Sequence, residues 1–381
     1  RVSLREDGWW GEQESGLLAS PDFSALCNSE NRSDLFDSVL RRYFSTKIVF
    51  GFMGGIPPVD GEENITHHIA SWREFDSFFR LAESFGCRHV YSPEHVGLEW
   101  EVKSMNLIDT FDCIERTQGR DFSPPIFGAR GFGIKIRDGH VLNARQQSAL
   151  NIARRVWDIY NQNIEVMHGK VCEIGGGAGY LAHYALRFGI PQYAIIDVTA
   201  ALVTQFLVLY PEHGNRVTFV LQESDMWKSP IGLLHAEVTN DFKFDGCEIV
   251  VNMDSLPEMP ADIAKNYFKR MKSSDSLRFF LSENQESRVS TMWTSPNPHK
   301  TAFSKQNDVR AMALKYGEFV PESRFLSWTR MGYVEELFSV STGIPVASTS
   351  RICYHQTWIV VCVLVLASSF LPFRIQKVMK R

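Results

Sequence analysis

A glycine-rich segment, VCEIGGGAGYLAHYALRFG at positions 171–189, has the residue types and spacing of a ligand-binding loop. In chain order it contains Glu173, Gly175, Gly176, Gly177, Gly179 and Tyr180. Glycine lets the backbone turn sharply and approach a ligand without an intervening Cβ, and the free N–H groups at the start of a helix attract an anionic ligand group. A simple strand-to-helix turn rarely needs this many glycines. The segment therefore predicts a strand, a ligand-binding loop and a helix, in that order.

The spacing of the glycines distinguishes between classes of nucleotide cofactor. A dinucleotide fingerprint, G-x-G-x-x-G, starting at Gly175 would need Gly or Ala where Tyr180 stands, and one residue later it fails at Ala178. The observed pattern is E-x-G-x-G-x-G, and Asp197 ends the next apolar run, 18 residues after the last glycine. A carboxylate there can accept hydrogen bonds from both hydroxyls of a ribose, or it can cap the following helix. A nicotinamide-dependent oxidoreductase is therefore only a minor alternative.

These residues resemble the first two motifs of class I S-adenosylmethionine-dependent methyltransferases. More narrowly, the chain resembles the sugar O-methyltransferase family through VCEIGGGAGYLAHYALRFG, YAIIDVTAALVTQFLVLY and VVNMDSLPEMP, within about residues 165–285. The resemblance implies a Rossmann-like α/β fold with a mostly parallel seven-stranded sheet, the cofactor S-adenosyl-L-methionine, and methyl transfer to a hydroxyl of a sugar or glycan precursor. The chain departs from the family's pattern where Val198 and Thr199 replace a proline.

The resemblance also implies which side chains contact the cofactor. Besides the loop and Asp197, an acidic or polar side chain after the third strand is expected near the adenine amino group. That residue would be Asp225, with the neighbouring Glu223 as a competitor, although a solvated loop acid explains either one. Asn252, which ends the fourth predicted strand, is suited to hold the methionine amino group or the acceptor by hydrogen bonds.

Methyl transfer from a sulfonium needs alignment, a dry site and a group that takes the acceptor's proton. The segment VVNMDSLPEMP follows a predicted strand, and the carboxyl ends of strands face the ligand crevice of an open α/β sheet. It supplies Glu258 as the first choice of general base and Asp254 as the second. Each could instead stabilise a helix N-terminus. Glu283, Asn284 and Gln285 could bind a polyhydroxyl acceptor or simply form a polar loop.

The elements that must position these residues follow from the apolar patterns. Short apolar runs alternate with helical segments, as in a parallel sheet with crossover helices. Strands are expected near 170–174, 193–197, 217–221, 247–252 and 277–282, and helices near 143–162, 178–188, 199–209, 259–272 and 307–316. Two late apolar runs, 336–340 and 354–361, would suit an antiparallel pair that completes the sheet.

The sequence divides into three regions. Residues 1–140 are predicted to form a mainly helical accessory region that encloses the acceptor, 141–362 the Rossmann-like domain, and 363–381 an apolar-then-basic tail. The run 358–373 is nearly uncharged but shorter than the about 20 apolar residues that cross a membrane. A cytoplasmic protein is expected. The alternative is a protein that associates with a membrane through residues 358–373, including a non-catalytic protein that is tethered in this way.

Charge and cysteine content narrow the functional classes. Lys plus Arg (40) nearly balances Asp plus Glu (44), so no basic field favours nucleic acid, and a small-molecule or saccharide acceptor is expected. The seven cysteines are scattered without a C-x-x-C pair and are predicted to be reduced thiols of a cytosolic protein. No metal-binding spacing, P-loop or nucleophile elbow is present, so no metal is expected and hydrolases of those types are unsupported. The oligomeric state stays open.

Overall fold

An eight-stranded sheet forms the centre of the fold. The computed structural model describes residues 65–90, 106–127, 133–137, 140–236, 244–286, 289–291 and 303–340. The strands are β1 (Ile134–Lys135), β2 (Val141–Leu142), β3 (Lys170–Ile174), β4 (Gln192–Asp197), β5 (Val217–Val220), β6 (Ile231–His235), β7 (Ile249–Met253), β8 (Phe279–Gln285), β9 (Val289–Thr291), β10 (Phe303–Lys305), β11 (Val320–Leu326) and β12 (Tyr333–Ser339). The central sheet has the order β5-β6-β4-β3-β7-β8-β12-β11, while β1–β2 and β9–β10 are two separate pairs.

Six strands of the central sheet are parallel, and β12 pairs antiparallel with both β8 and β11. Parallel strands bring their carboxyl ends to one edge of the sheet, which we call the carboxyl edge. Because β12 runs in the opposite direction, its first residue, Tyr333, lies opposite Gln285 at this same edge. The turn between β11 and β12 therefore also reaches the carboxyl edge.

The helices lie between the strands or precede them. They are α1 (Ile65–Ser84), α2 (Leu107–Gln118), α3 (Ala144–Gln162), α4 (Tyr180–Phe188), α5 (Thr199–His213), α6 (Ala261–Lys272) and α7 (Val309–Met312), the last continuing as a π-helical turn, Ala313–Gly317. Helix α3 begins with a capping box: the Asn143 side chain accepts from the Gln146 N–H at 2.9 Å, and the Gln146 side chain accepts from the Asn143 N–H at 2.7 Å. This cap fixes the start of α3 at the carboxyl edge.

Both faces of the sheet are buried, as a parallel sheet requires. Alternate residues of a strand point to opposite faces, so Val171 and Ile195 pack against the cluster that contains α3, α4 and α5. Ile174 and Ile196 pack against the second cluster, which contains α6. Helices α1 and α2 belong to the first cluster, so the described part of the N-terminal region shares its core with α3 and α4.

The predicted Rossmann-like, mostly parallel α/β sheet is confirmed, with eight strands in place of the seven expected. The additional strand is β6. It lies between β5 and β4, and the sequence patterns did not predict it. Only ten residues, 221–230, connect β5 to β6, and they contain a short 3-10 turn but no α-helix. Parallel strands are usually joined by a longer helical crossover, so the sequence pattern gave no reason to expect a second strand there.

The late strands also differ from expectation. β12 is present, but its partners are β8 and β11, whereas the run 354–361 lies outside the described residues. β11 was missed because this edge strand is exposed along almost its whole length and has no buried alternation. The division of the chain at residue 140 stays a prediction.

The prediction that the cysteines are reduced thiols is wrong for four of them. Cys87 is bonded to Cys113 and Cys172 to Cys247, with Cα–Cα distances of 5.8 and 5.7 Å. Their sequence separations are 26 and 75 residues, so only the folded chain brings them together. The other three cysteines lie outside the described residues. No helix in the described ranges is long and apolar enough to cross a membrane, and residues 358–373 are not among them.

Candidate functional site

The glycine loop joins β3 to α4 at the carboxyl edge, as predicted. Gly175 has a φ of +72°, and a Cβ there would lie 2.2 Å from Ser255 Oγ. A Cβ on Gly176 would lie 2.6 Å from Cγ2 of Ile195. The loop is therefore held against β4 and against the segment after β7 so closely that side chains are excluded. These glycines form a cradle whose backbone, at 175–177, remains partly exposed.

Asp197 ends β4 beside this loop. Its carboxylate accepts hydrogen bonds from the Gly177 N–H at 3.2 Å and from the Val198 N–H at 2.8 Å. Helix α5 has Val198 at its N-cap position, so Asp197 does not cap that helix. Burial raises the pKa of Asp197 to about 7, although these hydrogen bonds act in the opposite direction. The structure thus places the Asp197 carboxylate beside the glycine loop.

Gln205, on α5, is a site residue that sequence reasoning missed. Its Nε2 group donates to Asp197 Oδ2 at 2.8 Å and to the Gly177 carbonyl at 3.1 Å. The side chain is completely buried. A single amide thus fixes the carboxylate and the loop relative to each other. The only sign of this role in the sequence was its position about two turns into an apolar helix. A polar side chain that is buried there needs a hydrogen-bond partner.

Glu173 lies beneath the loop rather than at its surface. It is buried in β3, and the Tyr193 hydroxyl donates to its Oε2 at 3.0 Å. Burial raises the pKa of Glu173 to about 8, and the nearby charge of Asp197 acts in the same direction. Glu173 therefore supports the loop from within the protein. Tyr180, the first residue of α4, is also buried, and its phenol hydrogen-bonds to the Asn143 side chain.

Asn252, at the carboxyl end of β7, is completely buried in a network of protein groups. Its Nδ2 donates to the Ile174 carbonyl at 2.8 Å, and its Oδ1 accepts from Asn284 Nδ2 at 2.9 Å. The Ser255 hydroxyl donates to the same Ile174 carbonyl at 2.7 Å. These bonds connect the ends of β3, β7 and β8. The structure thus places Asn252 directly behind the glycine loop, where it fixes the strand ends.

Asp254 accepts hydrogen bonds from Arg330 in the β11–β12 turn and from Tyr333, the first residue of β12. Arg330 Nη2 donates to its Oδ2 at 2.8 Å, and the Tyr333 hydroxyl lies 2.9 and 3.0 Å from its two oxygens. The Arg330 guanidinium lies over the Tyr333 ring, 3.6 Å from its centroid. Neither Arg330 nor Tyr333 was found by sequence reasoning, because they lie 76 and 79 residues from Asp254.

Glu258 follows within the same segment, in a short 3-10 turn before α6. Its carboxylate makes no hydrogen bond to any residue in the described ranges. Burial raises the pKa of Glu258 to about 7, and the Asp254 charge raises it further, while Arg145 and Arg330 act in the opposite direction. Helix α6 begins at Ala261, so Glu258 does not belong to its first turn. A partly buried carboxyl group with a pKa near neutral suits proton exchange.

Glu283 lies on β8, behind Arg330. Hydroxyl groups of Ser148 and Ser327 both donate to its buried carboxylate. Asn284 accepts a hydrogen bond from the Asp254 N–H at 2.8 Å. These two residues, which the sequence suggested for the acceptor, therefore bond to neighbouring protein groups.

Asp225 is placed differently from the other predicted residues. It lies in a 3-10 turn after β5, which is the edge strand, and β6 stands between β5 and β4. Two strand spacings separate it from β4, or about 10 Å. Lys228 Nζ lies 2.7 Å from its carboxylate and lowers its pKa. Asp225 does follow the third predicted strand, but the strand that pairs with β4 is β6, and its last residue, His235, lies opposite Asp197.

Comparisons with known proteins give only distant likenesses. No protein-family model and no curated protein matches the chain. Among solved structures, similar ones include the methyltransferase domain of bacterial CtHen1, with 13% identity over 50% of this chain and 100% of that chain and a TM-score of 0.35. Magnesium protoporphyrin IX methyltransferase from Synechocystis PCC 6803 with bound SAH has 14% identity over 62% and 98%, and a TM-score of 0.38.

An O-methyltransferase family protein from Burkholderia thailandensis has 12% identity over 52% of this chain and 59% of that chain, with a TM-score of 0.33. Likenesses this weak do not assign an activity. Within the described residues, no group of three His, Cys, Asp or Glu side chains is arranged to hold a metal ion.

Proposed function

We propose that the chain is an S-adenosyl-L-methionine-dependent O-methyltransferase that acts on a hydroxyl of a sugar or glycan precursor. One observation carries the cofactor assignment: the Asp197 carboxylate and the Gly175–Gly179 loop meet at the carboxyl edge, where a Cβ at Gly175 or Gly176 would collide with its neighbours. This arrangement offers backbone amides to an anionic group and a carboxylate to a ribose.

The residues present fit S-adenosylmethionine. The partly exposed loop would hold the methionine part and Asp197 would accept from the ribose hydroxyls. Arg145, exposed at the start of α3, has no ion-pair partner in the described part of the chain and could pair with the methionine carboxylate. Glu173, Tyr180 and Asn252 would act from below, by holding the loop and the strand ends in place.

Two residues are candidates for the position beside the adenine. Asp225 remains the residue proposed from the sequence, but His235 ends the strand beside Asp197, and its Nε2 lies 2.9 Å from Thr199 Oγ1. The strand order therefore supports a position for the adenine beside the end of β6.

When bound, S-adenosylmethionine would supply an activated methyl group, carried on a sulfonium, for transfer to the acceptor oxygen. The acceptor's hydroxyl proton must leave as the methyl group is transferred, and Glu258 would accept it. Asp254 suits this role less well than Glu258, because both its oxygens already accept hydrogen bonds from Arg330 and Tyr333. The proposal of a sugar acceptor depends on the family resemblance, and the polar residues at the carboxyl edge are compatible with it.

Isothermal titration of the full chain with S-adenosylmethionine and S-adenosylhomocysteine tests the cofactor. Gly177→Leu and Asp197→Ala should each weaken binding strongly, whereas Asp275→Ala, which removes an exposed carboxylate before β8, should leave it unchanged. No binding by the wild type would refute the proposed function. Unchanged affinity in both site variants would refute the site. Incubation with methyl-labelled S-adenosylmethionine and a pool of sugars and glycan precursors then tests the acceptor, since label should appear in a saccharide.

A further inference from the structure

The Asp254–Arg330 ion pair is nearly buried and is fixed from several sides. The side chains of Asp254 and Arg330 are 14% and 17% exposed. Tyr333 contributes both its hydroxyl, to the carboxylate, and its ring, to the guanidinium. An ion pair held by directed hydrogen bonds and by cation–π stacking keeps one geometry.

The backbone at Asp254 is also unusual. Its φ is +70°, a conformation that is disfavoured for a residue with a Cβ. The Asp254 N–H donates to Asn284 Oδ1 at 2.8 Å and to the Glu283 carbonyl at 3.2 Å, so β8 holds this conformation in place. Such conformations persist only where the surroundings determine them strongly. The result is a carboxylate whose position is set by β8 and by the β11–β12 hairpin.

Glu258 has different surroundings. The charged groups that act on it are Asp254 from its own segment, Arg145 from α3 and Arg330 from the β11–β12 turn. Burial raises the pKa of the Tyr333 phenol, which stays neutral beside Asp254. Asp254 and Arg330 carry opposite charges, so their effects on Glu258 oppose each other.

We propose that Arg330 is a positioning residue for methyl transfer, which with Tyr333 occupies both carboxylate oxygens of Asp254 and leaves Glu258 as the carboxyl group that takes the acceptor's proton. The inference rests on the proposed function, because a base is needed only if a hydroxyl is methylated. Arg330 itself need not touch either substrate. It acts by occupying Asp254 and by opposing its charge at Glu258.

Two single variants should shift the titration of Glu258 in opposite directions. Arg330→Met removes a cation, so the pKa of Glu258 should rise by about one unit. Asp254→Asn removes an anion and frees Arg330, so the pKa of Glu258 should fall by about one unit. The double variant loses both charges and should return close to the wild-type value. General damage to the fold would not produce shifts of opposite sign.

The measurement is 13C NMR of the full chain labelled at the glutamate Cδ, followed as a function of pH, with Glu258→Gln to assign the signal. Arg155→Met is the matched control. Arg155 also pairs with a carboxylate, since its Nε lies 2.8 Å from Glu335 Oε1, but it is not among the charges that act on Glu258. Near-ultraviolet circular dichroism verifies that each variant keeps its tertiary packing.

Opposite shifts in the single variants, with no shift in Arg155→Met, would support the proposal. Shifts of equal sign, or none, in variants with native spectra would overturn it even if S-adenosylmethionine binds. Calorimetry on the same wild-type sample separates the two hypotheses. Absence of S-adenosylmethionine binding would refute the proposed function, and with it the role of Glu258 as a base, whatever the titrations show.

Discussion

Gly175 is a position at which one added methyl group should disable the loop. Its φ is +72°, and a Cβ would lie 2.2 Å from Oγ and 2.3 Å from Cβ of Ser255. Rotation of the Ser255 side chain would move Oγ but not Cβ. Carbon atoms in contact are normally about 3.5–4.0 Å apart, so Gly175→Ala requires the loop or Ser255 to move by about 1.2–1.7 Å.

Two costs follow from this displacement. An alanine in the left-handed region costs about 1–2 kcal/mol of folding free energy, and overpacking adds about 1–3 kcal/mol. The loop amides would also leave their positions beside Asp197. Loss of a hydrogen bond between a loop amide and a charged ligand group costs about 1.5–3 kcal/mol, which corresponds to about 10–100-fold in affinity. Gly175→Ala should therefore lose both stability and affinity.

The assay combines urea unfolding with calorimetric titration of S-adenosylhomocysteine. Gly86→Ala is the matched control, because Gly86 has a φ of +73° but no atom within 4 Å of the added Cβ. It should lose about 1–2 kcal/mol of stability through backbone strain and keep its affinity. In Gly175→Ala/Ser255→Gly the clash is removed, so affinity should recover relative to Gly175→Ala, with Ser255→Gly alone as the reference.

The steric reasoning fails if folded Gly175→Ala binds within about threefold of the wild type, a difference of less than 1 kcal/mol. It also fails if the second substitution restores no affinity, because the collision with Ser255 would then not be the cause of the loss.

Three further predictions concern the supports of the site. Gln205→Leu removes hydrogen bonds to the loop and to the Asp197 carboxylate and should weaken S-adenosylhomocysteine binding by about tenfold or more. Gln192→Leu, the control, loses a hydrogen bond to the Trp227 carbonyl and should not weaken binding. Equal losses of affinity in the two variants, measured by calorimetry, would contradict this prediction. Because burial raises the pKa of Glu173 to about 8, the folded state binds more protons than the unfolded chain, so the free energy of unfolding should fall as the pH rises from about 5 to 8. Glu173→Gln should reduce this dependence, and identical pH profiles in urea unfolding would refute the assignment. Peptide mapping without reduction should find Cys172 bonded to Cys247. Replacing both cysteines should lower the free energy of unfolding by about 4.5 kcal/mol, because the bond closes a loop of 75 residues. Free thiols at both positions would show that the bond is not formed.

The sequence was sufficient for features that are local in the chain. Strand β3, the glycine loop and helix α4 are contiguous, and their boundaries follow from an apolar run, the glycines and a helical pattern. Asp197 was also predictable, because it ends the next strand and adjacent parallel strands end at one edge. Glu258 was found in the same way, from its position after β7.

Contacts between distant parts of the chain could not be predicted from these patterns. The position of β6 between β4 and β5, which leaves Asp225 at the end of the edge strand, was not predictable, because strand order depends on pairing energies that no short sequence pattern reports. Arg330 and Tyr333 reach Asp254 only because β12 runs antiparallel to β8 and returns the chain to the carboxyl edge. The disulfide pairs likewise depend on which cysteines the fold brings together.

The sequence by itself thus determined the cradle and its carboxylate, because backbone turning and strand ends are properties of short segments. Tertiary structure decided how the two candidate carboxyl groups differ. Asp254 and Glu258 are four residues apart and have equal charge in the sequence. Folding gives Asp254 a guanidinium and a phenol from another hairpin, and it leaves Glu258 partly buried with a pKa near neutral. Burial and the positions of neighbouring charges set proton affinity, and both exist only in the folded chain.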